Sequence, residues 1–458
     1  MSPHGWRLMS RAPIRTLLAL AAPMVLARAT QAAITFADAI QVKDLGKGAI
    51  AATATGGLNI AGIAILPMGT VFILQSFVSQ LVGRNARDEA PRFAWYGLAI
   101  ALGAGLISLA LIPVIGPVMQ LTGFSDHVRD QMTSYMDIRI TSIGAIVGVE
   151  ALGAYYGGLG NTWMQMVASL VTMTVAIVLN WILIGGHLGA PAMGVDGAAL
   201  ASTIASWTGF VVIAVAWRRG WGGAPRPTGR SGLSIRELRR VIEFGLPNGI
   251  NWVLEFAAFQ VFINIVLARL GDDAVAALNV VIAVNSVAFM PAWGLASAGA
   301  ILAGQAIGRG ARDDVWPSVR ISLVCTMSWM CAIGALYLAF PDRVLAIFAP
   351  DTDAGRIVEI GTSMLVMSSL WQVFDAVGIT LSETLRAAGD TAWTAKVRII
   401  LAWFVFTPTA YATVSQGGGP VGAMLCMIGY LAVIAFALSM RFRSGAWRSI
   451  ELIEPQLA

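Results

Sequence analysis

The sequence predicts an all-α polytopic membrane protein: twelve transmembrane helices in two six-helix lobes related by a pseudo-two-fold axis. Three observations predict it. Charged residues are only 12% of the 458 while hydrophobic ones are 57%, and the mean hydropathy is +0.74, a balance that soluble domains do not reach. The apolar residues gather into a dozen runs of about 20 residues or more, long enough to cross a bilayer. The chain also repeats itself: QLVGRNARDE at 80–89 returns as QAIGRGARDD at 305–314, and LGKGAIAA at 45–52 returns at the same offset as LGDDAVAA at 270–277.

Taken in order, the N-terminus has the outline of a secretory signal, with a basic start, an apolar core and Ala27-Arg28-Ala29 in place of a cleavage site. Pro23 interrupts that core, however, and the apolar run continues to about Val42, so it reads as the first span. Spans follow at about 49–83, 93–119, 133–158, 163–186 and 197–217, closing an N-lobe over 13–217. A basic, Gly- and Pro-containing connection over 218–243, expected on the cytoplasmic side, leads to a C-lobe over 244–441. Its spans are about 244–270, 274–308, 316–340, 360–386, 393–414 and 420–440. Lys and Arg concentrate in alternate connections, including 84–92, 218–240, 309–320, 386–398 and 441–448, which places both termini in the cytoplasm of a plasma (bacterial inner) membrane protein. The repeat extends further: GVDGA at 194–198 answers GPVGA at 419–423, Pro23 answers Pro247, and GNTW at 160–163 answers GDTAW at 389–393. An even number of spans between equivalent points preserves orientation. The halves are therefore parallel repeats, an architecture that encloses a cavity opening to one side and then the other.

Several function classes drop out. The formal net charge of +5 resides in loops and forms no basic domain, so no nucleic-acid partner is expected. His4, His127 and His187 are scattered, Cys325, Cys331 and Cys426 lie in apolar runs, and no HExxH, CxxC or P-loop pattern occurs. An enzyme, a channel and a cofactor protein are all disfavoured.

What remains to explain is the charge inside the spans, where an ionisable group is a functional candidate by default. Glu255 lies as far from Phe244 as Asp375 lies from Arg386, about 16 Å at the helical rise. Two carboxylates at one depth can share a site and recruit a cation, H⁺ or Na⁺. Arg28 is taken as the nearest intramembrane cation, and it belongs to the other half. Asp38, one turn inside the end of span 1, is the third acid. Arg28 and Glu150 are expected to form a structural ion pair, whereas Asp137 and Arg139 are placed near enough to the outer face to snorkel. Gln31, Asn180, Gln260, Asn264 and Trp371 are candidates to line a cavity, though Asn and Gln in spans also serve as interhelical glue.

The chain resembles the multidrug and toxic compound extrusion family. The likeness lies in the repeated G-R-x-A-R-D/E motif after spans 2 and 8, the Gly160-Asn161-Thr162 turn with its counterpart Gly389-Asp390-Thr391, and the run GAPAMGVDGAA at 189–199. Span 7, GLPNGINWVLEFAAF, with Glu255, span 10 with Asp375, and Asn180 in LNWILI are similar to the NorM-like branch. The resemblance implies a monomeric exporter of amphipathic, cationic small molecules, set among membrane lipids, with Asp38, Glu255 and Asp375 coupling export to Na⁺ or H⁺ and no cofactor. The alternative is a flippase for lipid-linked oligosaccharides, of related architecture. Arg28 and Lys43 depart from the family pattern and argue against a simple anionic site in the N-terminal half.

Overall fold

A computed structural model describes residues 13–227, 232–347 and 354–453. His4 and part of the 218–243 connection lie outside the described residues. Among the described residues, twelve helices are long and apolar enough to cross a membrane and there is no strand. They are α1 (Ile14–Leu45), α2 (Lys47–Gly83), α3 (Arg87–Ala110), α4 (Asp126–Gly158), α5 (Trp163–Gly185), α6 (Gly194–Arg219), α7 (Ile235–Leu270), α8 (Asp273–Gly308), α9 (Arg312–Ala339), α10 (Val358–Ala387), α11 (Thr391–Ser415) and α12 (Gly419–Arg443). Apolar side chains without water to bond the backbone leave the helix as the solution for each run, since it satisfies its own peptide groups.

The turns repeat along with the sequence. At the end of α2, Asn85 has φ 61° and Ala86 N–H donates to Leu81 O at 3.0 Å; at the end of α8, Gly310 has φ 76° and Ala311 N–H donates to Ala306 O at 3.1 Å. Both are left-handed helix terminators, a conformation Gly adopts freely and Asn tolerates. Equivalent pairing recurs where Asn161 N–H donates to Tyr156 O at 2.9 Å and Asp390 N–H to Leu385 O at 2.8 Å. The duplication is therefore structural as well as textual.

The chain divides into two compact units, Pro23–Gly249 and Ile250–Ala458 together with Met1–Ala22. This boundary differs from the expected one at 217 and 244: the first part of α7 belongs with the N-terminal helices, and the first residues of α1 belong with the C-terminal ones. The reason for α7 is close packing on α2. A Cβ on Gly249 would stand 2.4 Å from Leu66 O, so only glycine admits the approach. Asn248 Nδ2 donates to Gly69 O at 2.7 Å, and Tyr96 Oη donates to Glu237 at 2.6 Å. In the other unit, Phe262, Val266, Val281, Leu365, Phe406 and Met424 form a buried core shared by α7, α8, α10, α11 and α12.

Several spans carry irregular turns. A 3₁₀ turn at Ile140–Ser142 interrupts α4, and π-helical turns at Phe262–Val266 and Leu401–Phe406 widen α7 and α11. Such turns re-aim neighbouring side chains and concentrate at functional sites.

Candidate functional site

In the C-terminal unit the charge centres on Glu255. Arg398 Nη2 stands 2.9 Å from Glu255 Oε1, and Asn251 Nδ2 donates to Glu255 Oε2 at 3.2 Å. Arg398 also donates through Nη1 to Ser382 Oγ at 3.1 Å, so one guanidinium ties α11 to both α7 and α10. Trp403 Nε1 donates to Leu254 O at 3.0 Å and fixes the same two helices one turn further on. Asp375 is within electrostatic range of Arg398 and Glu255, and Tyr430 of α12 is in range of all three. Phe406 stacks on Tyr430 with centroids 4.9 Å apart and meets Phe262 at the same distance, which closes one side with the aromatic rings of the two π-helical turns.

Arg398 corrects the expectation that no cation lies nearer this pair than Arg28. The sequence assigned it to the 386–398 connection, but α11 begins at Thr391, which sets Arg398 about two turns inside the helix. Beside this pair Asp375 is different: among the described residues it has no hydrogen-bond or ion-pair partner. Two carboxylates share one guanidinium, so one of them is left without a counter-ion of its own. Nearby, Gln372 Nε2 donates to Asn285 Oδ1 at 2.5 Å and Asn285 Nδ2 to Ser368 Oγ at 3.3 Å, a polar chain between α8 and α10 that the sequence did not single out.

The N-terminal unit holds a cavity of about 380 Å³ among α1, α2, α4, α5 and α6. Arg28, Gln31, Arg139, Glu150 and Gln165 are among its polar lining residues. Arg28 Nη2 and Glu150 Oε1 form an ion pair at 3.1 Å. Asn180 is fully buried and donates to Asp38 Oδ1, joining α5 to α1. Arg139, placed by the sequence near enough to the outer face to snorkel, lines this cavity just before the 3₁₀ turn at Ile140–Ser142. Of the residues put forward as cavity-lining, only Gln31 lines this one. Asn264, exposed, donates back to Gln260 O at 2.9 Å, a local helix contact, and Trp371 packs against the C-terminal core.

Comparison with known proteins agrees with the repeat. The family model MatE matches two stretches, residues 23–182 and 252–412. A probable multidrug resistance protein NorM of Pseudomonas putida is 24% identical over 445 residues, 96% of each chain. A probable multidrug resistance protein NorM of Chromobacterium violaceum is 28% identical over 402 residues, 86% of this chain and 84% of its own. Among solved structures, a MATE protein in complex with MaL6 is similar with a TM-score of 0.88 at 22% identity, covering 96% of this chain and 98% of its own. An outward-facing multidrug resistance MATE family transporter gives 0.86 at 22% identity, covering 96% and 97%. With both halves of the sequence matched by one model and twelve membrane-spanning helices arranged as in those structures, the chain belongs to the MatE family of membrane transporters.

Proposed function

We propose that this protein is a cation-coupled antiporter that exports small amphipathic molecules, and that Asp375, beside the Glu255–Arg398 pair, carries the coupling ion. The observation that supports this reading is the unequal state of the two acids. Glu255 is already engaged by Arg398 and Asn251, while Asp375 is the carboxylate with capacity left for one Na⁺ or H⁺. An ion biases alternating access only through different affinities for the two states. A carboxylate whose distance from Arg398 changes between states supplies that difference: near the guanidinium it has a counter-ion, and away from it the carboxylate needs one from solution. Asp38, held by Asn180, is a second candidate coupling acid in the N-terminal unit. Transport of this kind needs no cofactor.

The relatives named as multidrug resistance proteins support a drug-like cargo, and the alternating Lys/Arg-rich connections support an inner-membrane orientation with cytoplasmic termini. Neither the family match nor these relatives support the flippase alternative. The cavity of about 380 Å³ is at the small end of ligand pockets, small for an oligosaccharide on a lipid pyrophosphate.

The test is efflux of a fluorescent dye and of a fluoroquinolone from proteoliposomes, with Na⁺ and pH gradients imposed separately. One gradient is expected to drive export in the wild type and not in Asp375→Asn. Ion-driven export by Asp375→Asn at the wild-type rate would remove coupling from this residue.

A further inference from the structure

We propose that the cavity in the N-terminal unit is a subsite for an anionic group, a carboxylate or its equivalent, on an otherwise apolar ligand, with Arg139 as its counter-ion. This deepens the transport reading and rests on it, and it revises the cationic cargo expected from the sequence. Three charged side chains line the cavity, Arg28, Arg139 and Glu150. Arg28 and Glu150 neutralise one another at 3.1 Å. Arg139 is left with hydroxyls alone: its Nη1 donates to Ser142 Oγ at 2.9 Å and to Ser206 Oγ at 3.3 Å, and the Tyr135 hydroxyl is its other neighbour. Among the described residues no carboxylate comes within 4.0 Å of it. The acid in its electrostatic range is Asp38, whose carboxylate accepts from Asn180 instead.

The hydroxyls hold Arg139 in place without neutralising it. Ser142 Oγ donates its own proton to Arg139 O at 2.6 Å and Ser206 Oγ donates to Ser202 O at 2.8 Å, so each presents only a lone pair to the guanidinium. An arginine fixed at the wall of a largely apolar cavity, with no ion-pair partner, is a preorganised receptor for a planar anion. A ligand cation there would face two guanidinium groups, and the single carboxylate of the lining is already taken. The apolar wall, with Ile60, Ile65 and Met68 from α2, suits an aromatic or aliphatic body.

The experiment uses the full-length protein in detergent and three environment-sensitive probes that share one aromatic body: dansylglycine, its methyl ester, and a dansyl amide bearing a trimethylammonium group. Fluorescence titration without any ion gradient gives Kd for each. The acid is expected to bind the wild type about 10- to 100-fold more tightly than the ester or the cation, the range for one charge-assisted contact. In Arg139→Gln the acid should fall to the affinity of the ester while the ester is unchanged, and Arg139→Lys should recover part of the preference. If Arg139→Gln does not fold, the acid-against-ester comparison on the wild type still decides. Equal or weaker binding of the acid, no binding of any probe, or a preference that survives in Arg139→Gln would each overturn the proposal. Because no gradient enters this measurement, its failure is separate from a failure of ion-coupled efflux through Asp375.

Discussion

At the residue scale, the two C-terminal acids differ in what each would cost the fold if lost. Glu255→Gln takes the ion-pair partner from Arg398, which sits within the membrane-spanning part of α11 with a side chain 17% exposed. Part of the charge remains met by Ser382, so the expected loss is about 1–3 kcal/mol, below that for a fully buried pair. Asp375→Asn removes a carboxylate that no side chain holds and should leave stability unchanged or raise it. Thermal unfolding of both purified variants checks this; equal destabilisation would mean that Asp375 has a structural partner. The acids were legible in the sequence because a lone carboxylate in an apolar run is conspicuous. Arg398 and Arg139 were not, because an arginine near the end of an apolar run looks the same whether it stops the helix at the interface or turns inward. Counting from the edge of the apolar run then misjudges depth, since α4 starts at Asp126 and α11 at Thr391, before their apolar stretches begin.

At the scale of elements, the repeated turns test the duplication one position at a time. Gly310 and Asn85 occupy the same left-handed position, φ 76° and 61°, and a Cβ on Gly310 would meet nothing within 4 Å. Gly310→Val therefore isolates backbone strain, expected at about 1–2 kcal/mol, whereas Asn85→Gly should be neutral within a few tenths of that. Detergent-phase melting temperatures separate the two, and a Gly310→Val variant as stable as wild type would show that this turn can relax. These turns were legible because the chain writes them twice, with Gly or Asn where positive φ is needed. The irregular turns are marked less plainly. ITS at 140–142 and FINIV at 262–266 contain neither Gly nor Pro, whereas LAWFVF at 401–406 is followed by Pro408, which has no N–H for the Phe404 carbonyl. The sequence therefore located the acids but not these turns, two of which carry Phe262 and Phe406.

At the scale of the whole molecule, the number of helices was legible from hydropathy, but the residue at which the compact units divide was not. Hydropathy counts apolar runs, while the compact units are decided by contacts such as those of Asn248 and Gly249 with α2, which moved the division from 244 to Gly249. Orientation is proposed from charge: basic side chains tend to be retained on the cytoplasmic side, and alternate connections carry them. With an even number of spans, that predicts both ends of the chain on that side. Single cysteines at Leu121, Leu188 and Ile235, which are 87%, 82% and 87% exposed, introduced after Cys325, Cys331 and Cys426 are replaced, test this directly. A membrane-impermeant maleimide on intact spheroplasts should label positions 121 and 188, and should label 235 only after permeabilisation. The reverse pattern would put the Arg-rich 218–240 connection outside. Labelling at 235 on intact spheroplasts would therefore remove the proposed cytoplasmic placement of both termini.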